Sequence, residues 1–173
     1  MRIFVLALIV LLNFILQTTL FRWIAIAGII PNTALIIVVC YAILRDDTEG
    51  ALVGFFSGLL QDLLFGRIIG TSAFLMMIIG YFSGKPFRDF FKETYIVPII
   101  LVAIAGLSYE FMYYVINFLL QGRTNFMRYL GQIILPTVAY NLIISVFIYR
   151  LIYGIDRRLN QREDKRHSFI HKK

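Results

Sequence analysis

The sequence predicts an all-α, polytopic integral membrane protein with six transmembrane helices. Of its 173 residues, 60% are hydrophobic and only 16% are charged, and the mean hydropathy is +0.79. A soluble domain is nearer to half apolar, with about a quarter of its residues charged. Long apolar segments separated by short charged loops are typical of membrane spans, and little length remains for a soluble domain.

The first two spans are predicted at residues 3–20 and 31–44. As a helix the first would be roughly 27 Å long, which is enough to cross a bilayer core. It has no small-residue cleavage site, so we expect it to remain as a helix rather than act as a signal peptide. Asn13 and Gln17 are four residues apart and share a face that is expected to turn inward. Pro31 fits the first turn of the short second span.

The third and fourth spans, predicted at residues 50–64 and 68–83, form a short helical hairpin around which we expect the chain to be organised. Small residues let helix backbones approach closely in a bilayer, where lipid supplies no hydrophobic drive. The glycines expected to serve this packing are Gly50, Gly54, Gly58, Gly66 and Gly70. The first three recur every four residues, so they form one stripe on a helix.

The last two spans are predicted at residues 95–120 and 130–153, within a membrane domain of residues 1–154. Pro136 is expected to kink the sixth span because it removes a backbone donor. Asn141 lies further along the same span as a polar residue in an apolar run.

A basic tail, residues 155–173, follows the six predicted spans and carries much of the positive charge. Six spans place both termini on one side, which then holds thirteen of the seventeen Lys and Arg residues. The positive-inside rule therefore predicts that both termini are cytoplasmic. The tail would either contact anionic lipid or stay solvated as a topology determinant. The net charge of +7 thus reports topology and does not indicate a nucleic-acid partner.

Asp62 and Glu110 are the only carboxylates well inside the predicted spans. An acid at such depth must face protein or water, because exposure to lipid costs at least ~2.5–3.5 kcal/mol. Two interpretations stay open: a proton or cation site formed by both acids, or separate acceptors of hydrogen bonds. Under the second, Asp62→Asn keeps an acceptor and should retain most function. Asp62 is also near enough in sequence to pair with Arg67.

Patterns of catalytic, cofactor and metal sites are missing from the sequence. No histidine lies in a predicted span, and Cys40 is the only cysteine. A histidine-assisted nucleophile, a zinc site and a phosphate-binding glycine loop are therefore not predicted. The inward polar candidates are Asn13, Gln17, Asp62, Glu110, Asn117 and Asn141. They are few and scattered over several helices, so we expect no tight binding of a vitamin-sized ligand.

The residues from Arg45 to Ala73 resemble the rod shape-determining protein MreD family. The pattern is Gly50-x3-Gly54-Phe55-x2-Gly58-Leu59-Leu60-x-Asp62-Leu63-x2-Gly66, followed by Gly70-x2-Ala73. The resemblance extends from the first predicted helix to the sixth. Asn32 is a departure, since the family usually has Pro-Asp where this chain has Pro31-Asn32.

The resemblance implies a non-enzymatic inner-membrane subunit of the bacterial cell-elongation machinery. Such a subunit helps to maintain rod shape by binding membrane partners that organise peptidoglycan synthesis. The implied partners are an MreC-like membrane protein, an MreB-like actin filament, RodA and a class B penicillin-binding protein. The family is also similar in architecture to the substrate-binding components of energy-coupling-factor transporters. A substrate-binding subunit of a vitamin-type transporter is therefore the alternative function.

Overall fold

The computed structural model describes the backbone of residues 2–23, 25, 28–66, 68–84, 96–118 and 126–170. Side chains are described for residues 6–19, 23, 25, 28–66, 68–84, 96–118, 126–155 and 157. The helices are α1 (Arg2–Trp23), α2 (Thr33–Leu44), α3 (Asp47–Phe65), α4 (Thr71–Gly84), α5 (Ile96–Asn117), α6 (Phe126–Tyr129) and α7 (Leu135–Ile170). A π-helical turn, Leu130–Ile134, joins α6 to α7 as one continuous helix. The all-α prediction is confirmed within these residues.

Two of the differences from the predicted helix boundaries concern α2 and α7. Pro31 precedes α2 instead of lying in its first turn, because Asn32 is the N-cap and its side chain accepts a hydrogen bond from the Leu35 N–H, at 3.1 Å. In addition, α7 continues to Ile170, so the basic tail predicted from residue 155 begins as a direct extension of the last helix.

A π-helical turn directly precedes Pro136, which the sequence predicted as a kink. Proline lacks the N–H that an α-helix would use at this position. A π turn lets the neighbouring backbone groups bond at a wider spacing. The irregularity of this helix therefore lies at Leu130–Ile134, on the N-terminal side of the proline.

The central helix of the bundle is α2. It contacts α1, α3, α4, α5 and α7, and every residue from Thr33 to Ile43 is buried. Its sequence is apolar on all faces, which is typical of a helix enclosed by other helices. The expectation that the chain is organised around the glycine hairpin is thus corrected: the hairpin packs beside α2. The 12 residues of α2 need not match the bilayer thickness because protein surrounds them.

The described helices alternate in direction along the chain. A hydrogen bond joins Asn32, at the start of α2, to Asn141, near the start of α7. Another joins Tyr109, late in α5, to Ser72, in the first turn of α4. We call this side of the bundle the Asp62 end, since Asp62 lies near it in the last turns of α3.

The outer surface of the bundle is apolar. Large side chains such as Phe56, Phe82, Ile143 and Phe147 are more than half exposed. The buried polar residues in the described region are Asn32, Thr33, Ser57, Asp62, Thr71, Ser72, Ser83, Asn117, Thr137, Asn141 and Ser145. Extensive apolar surface around a bundle whose polar residues are mostly turned inward is the arrangement that a lipid surrounding favours.

Two helices are long and apolar enough to cross a membrane by themselves, Ile96–Asn117 and Phe126–Ile155. The apolar stretches Leu6–Thr19, Thr33–Leu44 and Thr71–Gly84 are shorter. The structure therefore agrees with a membrane protein, while the count of six spans stays a prediction.

Candidate functional site

The glycine stripe of α3 lies against the backbone of α4. A Cβ atom placed on Gly54 would be 2.6 Å from the carbonyl carbon of Met76, and one on Gly58 would be 2.5 Å from that of Ser72. Contacts this short essentially never occur for real Cβ atoms. The two backbones therefore approach to a distance that only glycine permits, which supports the packing role expected from the sequence.

The same close approach continues at the other end of the hairpin. A Cβ on Gly80 of α4 would lie 2.6 Å from the carbonyl carbon of Gly50. A Cβ on Gly50 would also lie 2.5 Å from the Cβ of Ala42, in the central helix. Gly50 thus lets α2, α3 and α4 meet at one point, and the three helices form a closely packed unit.

Asp62 binds the N-terminus of α4. Its Oδ2 accepts hydrogen bonds from the N–H groups of Gly70, at 2.9 Å, and Ala73, at 3.1 Å. Its Oδ1 accepts a hydrogen bond from the Ser72 N–H at 3.1 Å. These are N–H groups that a helix leaves without internal partners, and they carry the positive end of the helix dipole. Asp62 is only 2% exposed, so these three hydrogen bonds compensate the burial of an acid.

Gly66 and Gly70 have different roles from the glycine stripe. Gly70 has a φ of 101°, and a Cβ there would meet nothing within 4 Å. The packing role expected for Gly70 is therefore wrong: the turn needs its backbone freedom to direct the N–H towards Asp62. Gly66 ends α3 with a φ of −73°, and a Cβ there would lie 2.7 Å from the Cα of Asp62. Glycine is required here because the chain leaving α3 passes too close to Asp62 for a side chain.

A polar cavity of about 340 Å³ lies at the Asp62 end of the bundle. Its lining is drawn from helix ends and from the segment before α2. The lining residues are Gln17, Gly28, Ile29, Ile30, Asn32, Gln61, Phe65, Gly66, Ser72, Tyr109, Glu110, Tyr113, Ile133 and Thr137. More than half of them have polar side chains. Of the six inward polar candidates from the sequence, only Gln17 and Glu110 line this cavity, so most of them stay scattered as expected.

The aromatic wall of this cavity is held by a hydrogen bond between α5 and α4. The Tyr109 hydroxyl donates to Ser72 Oγ at 3.0 Å, and the Tyr109 and Tyr113 rings stack with centroids 5.8 Å apart. Because Ser72 also donates its N–H to Asp62, the hairpin turn and the cavity wall are connected. Glu110 follows Tyr109 directly and adds a carboxylate to the lining.

The two intramembrane acids do not share one site. Glu110 lines the cavity, whereas Asp62 does not, since both of its oxygens are occupied by α4. This arrangement favours the hydrogen-bonding interpretation of Asp62 over a site built from both acids. The suggested partner Arg67 lies outside the described residues.

The other polar residues expected to be buried differ in their surroundings. Asn141 is 1% exposed and accepts a hydrogen bond from the Asn32 N–H at 2.8 Å. Asn13, Gln17 and Glu110 are only partly buried, which corrects their prediction as buried residues. Gln17 and Glu110 line the cavity and Asn13 lines an adjoining small pocket, so they are not enclosed on all sides.

Several residues of this cavity were not identified from the sequence. Gln61 directly precedes Asp62, and its Oε1 is buried without a hydrogen-bond partner in the described structure. Asn32 was identified only as a departure from a family pattern, although as N-cap of α2 it performs the same hydrogen bonding as an aspartate would. Gln61 is a polar residue beside Asp62 in an otherwise apolar run, and this position could have identified it from the sequence.

The described lining offers groups that can bind a ligand. Among the described residues, no group of three or more His, Cys, Asp or Glu side chains is placed to hold a metal ion. Cys40 is buried in α2, away from the lining. The cavity can donate and accept hydrogen bonds, and Glu110 can place one negative charge in it.

Comparison with known proteins assigns the family. The model of the rod shape-determining protein MreD family matches residues 1–158. No curated protein and no solved structure gives a significant match. The expected similarity to transporter components therefore stays a prediction, and nothing supports the transporter alternative. The MreD family comprises bacterial inner-membrane proteins that determine cell shape and is not a known enzyme family. Because the match covers nearly all of the chain, this protein belongs to the MreD family.

Proposed function

We propose that this protein is a non-enzymatic scaffold of the cell-elongation machinery that binds the membrane proteins organising peptidoglycan synthesis. The family match over residues 1–158 is the observation that carries the proposal. The closely packed unit of α2, α3 and α4 supports it, because a scaffold needs a rigid body. The proposed partners are an MreC-like membrane protein, an MreB-like filament, RodA and a class B penicillin-binding protein.

The apolar outer faces of the helices are the surfaces proposed to contact partner helices. Phe147 and Leu151, for example, are 73% and 63% exposed on α7. In lipid such faces gain little from hydrophobic burial, and association depends on shape and on a few polar contacts. The surface supports binding of membrane partners but by itself does not distinguish one partner from another.

We also propose that the chain crosses the inner membrane six times with both termini in the cytoplasm. The alternating helix directions support an even number of crossings, and the excess of Lys and Arg at the termini supports their cytoplasmic location. In this orientation the Asp62 end, with its cavity, faces the outer side of the membrane.

Depletion of the protein in its rod-shaped host tests the proposed function. We expect rounded cells, restoration of rods by the wild-type chain, and copurification of an MreC-like bitopic protein with the tagged chain. A matched control is the Gly154→Ala variant, since a Cβ at Gly154 meets nothing within 4 Å. This variant should restore rods as the wild type does. Normal rod shape after complete depletion would contradict the proposal.

A further inference from the structure

We propose that the cavity at the Asp62 end binds a small ligand through an organic ammonium group. This goes beyond the proposed scaffold function, since a scaffold needs outer faces and no internal cavity. The assignment rests on the charge, the unpaired acceptor, the aromatic wall and the volume of the cavity.

The charge of the lining selects against anions. Glu110 is the only charged side chain among the described lining residues, which include no Lys or Arg. An ion in a site of low dielectric constant needs a compensating charge, which for a bound cation Glu110 supplies. A phosphate or carboxylate would meet Glu110 without a compensating cation in this lining.

An unpaired acceptor indicates that a donor is missing. Gln61 Oε1 is buried and has no hydrogen-bond partner in the described structure. Buried acceptors are nearly always paired, with protein, with water or with a ligand. Gln61 and Glu110 both line the cavity, so an ammonium or a hydroxyl group bound there would have acceptors on two different helices.

The aromatic wall suits an organic cation. Phe65, Tyr109 and Tyr113 line the cavity together with Glu110, and the two tyrosine rings are stacked. Aromatic faces attract ammonium groups, and quaternary ammonium ligands are recognised in this manner. Hydrophobic lining residues such as Ile29 and Ile133 would contact the methylene or methyl groups of such a ligand.

The volume of the cavity has room for a small organic molecule. About 340 Å³ corresponds to roughly eleven water molecules at ~30 Å³ each. This is at the lower end of the range for small-molecule sites. Both a free amine and the amine of a lipid head group present the same chemistry, so the experiment must separate these two sources.

Purified full-length protein in nanodiscs of phosphatidylglycerol alone provides the test, because this lipid carries no ammonium group. Thermal unfolding and calorimetry would be followed with ethanolamine and choline, and with acetate and inorganic phosphate as anionic probes. We expect at least one amine to bind and raise the unfolding temperature, and neither anion to do so. The proposal would be overturned if only the anions bound. It would also be overturned if no amine bound in any part of the experiment.

Two variants connect binding to the cavity. Glu110→Gln should weaken amine binding about tenfold or more, since a charged hydrogen bond is lost. Glu49→Gln is the matched control: this carboxylate accepts a hydrogen bond from the Tyr41 hydroxyl at 3.1 Å and lies outside this cavity. It should bind the amine as the wild type does. Equal affinity of Glu110→Gln and the wild type would refute the assignment.

Gln61→Met distinguishes a binding role from a structural one. The change removes an unpaired buried acceptor, so the ligand-free protein should unfold at the same or a higher temperature while amine binding weakens. A residue needed only for folding would show the opposite, with lower stability and unchanged binding. That opposite result would count against the proposal.

The lipid source is tested in nanodiscs that contain phosphatidylethanolamine. If the head group is the natural ligand, native mass spectrometry should show one retained lipid per wild-type chain and a loss of it in Glu110→Gln. Binding of free ethanolamine without retention of this lipid would identify a soluble amine instead. If the wild type and Glu110→Gln retained phosphatidylethanolamine equally and neither bound a free amine, the proposal would be overturned.

Discussion

Asp62 shows how a helix accommodates a buried acid through backbone N–H groups. Its two oxygens receive three N–H groups from the start of α4, where the helix dipole also favours negative charge. The sequence identified the acid and its need for a partner. The partner itself consists of backbone N–H groups of the turn after Gly70, and no side-chain pattern indicates them.

The first prediction concerns Asp62→Asn, and the structure reverses the expectation drawn from the sequence. An asparagine has one acceptor oxygen, so its NH2 group would face an N–H donor of α4. We expect a loss of about 1.5–3 kcal/mol in the free energy of unfolding, the range for a charged hydrogen bond. Thermal unfolding in detergent and the protein level in cells would measure it.

Glu49→Gln is the control for this comparison. Glu49 accepts a hydrogen bond from the Tyr41 hydroxyl, and a glutamine oxygen can still accept it. The control should lose much less stability than Asp62→Asn. Equal stability of Asp62→Asn and the wild type would show that one oxygen of Asp62 suffices to cap α4.

At the scale of elements, the α3–α4 hairpin is held by two devices that act at different places. Along its length the glycine stripe brings the backbones together, as at Gly54 against Met76. At the turn of the hairpin, Asp62 caps α4. This contact fixes the position of α4 along α3, and so determines which part of α4 the glycine stripe faces. Neither device is specific by itself, but together they define a single arrangement of the two helices.

The second prediction concerns Gly58→Ala. The added methyl would lie 2.6 Å from the Cα of Ala73, and overpacking of this kind costs about 1–3 kcal/mol. Membrane insertion should persist, because alanine does not oppose it. Folded protein after purification and the unfolding temperature should both fall.

Gly131→Ala and Gly154→Ala are matched controls within the same chain, as a Cβ at either position meets nothing within 4 Å. Both glycines are in the continuous C-terminal helix, so alanine should be neutral or slightly stabilising there. If Gly58→Ala were as stable as these controls, the hairpin would not depend on backbone contact at that position.

The third prediction concerns the start of the central helix. Asn32→Asp should be tolerated, because aspartate also accepts the Leu35 N–H and the bond to Asn141 uses the backbone N–H. Asn32→Ala removes the cap and should cost about 0.5–2 kcal/mol. Unfolding of purified variants would measure both. Equal losses for the two substitutions would show that the cap is not what Asn32 contributes.

At the scale of the whole molecule, the bundle places apolar surface outside and its polar cavity at one end. Helices α2, α4 and α7 begin at the Asp62 end, so their first turns and the last turns of α3 and α5 are gathered there. Helix ends are where backbone donors and polar side chains concentrate. The position of the cavity therefore follows from the alternating directions of the helices.

The fourth prediction concerns topology. In a Cys40→Ala background, a cysteine at Ser168 should react with an impermeant reagent only after the cells are permeabilised, because the basic tail is expected to be cytoplasmic. A cysteine at Asn125, in the loop predicted to face outward, should react in intact cells and is the paired control. Labelling of the Ser168 position from outside intact cells would overturn the proposed orientation.

The sequence by itself determined that this is a helical membrane protein with a glycine hairpin and that the acid Asp62 must face protein or water. These properties follow from local composition and spacing. Composition decides which segments are apolar, and spacing decides which helix face carries only glycine. Only the tertiary structure decided that α2 is the centre, that α4 supplies the donors for Asp62, and that Glu110, Gln61 and Tyr109 share a cavity. The physical reason is that these contacts join residues far apart in the chain, and their pairing depends on how the helices pack.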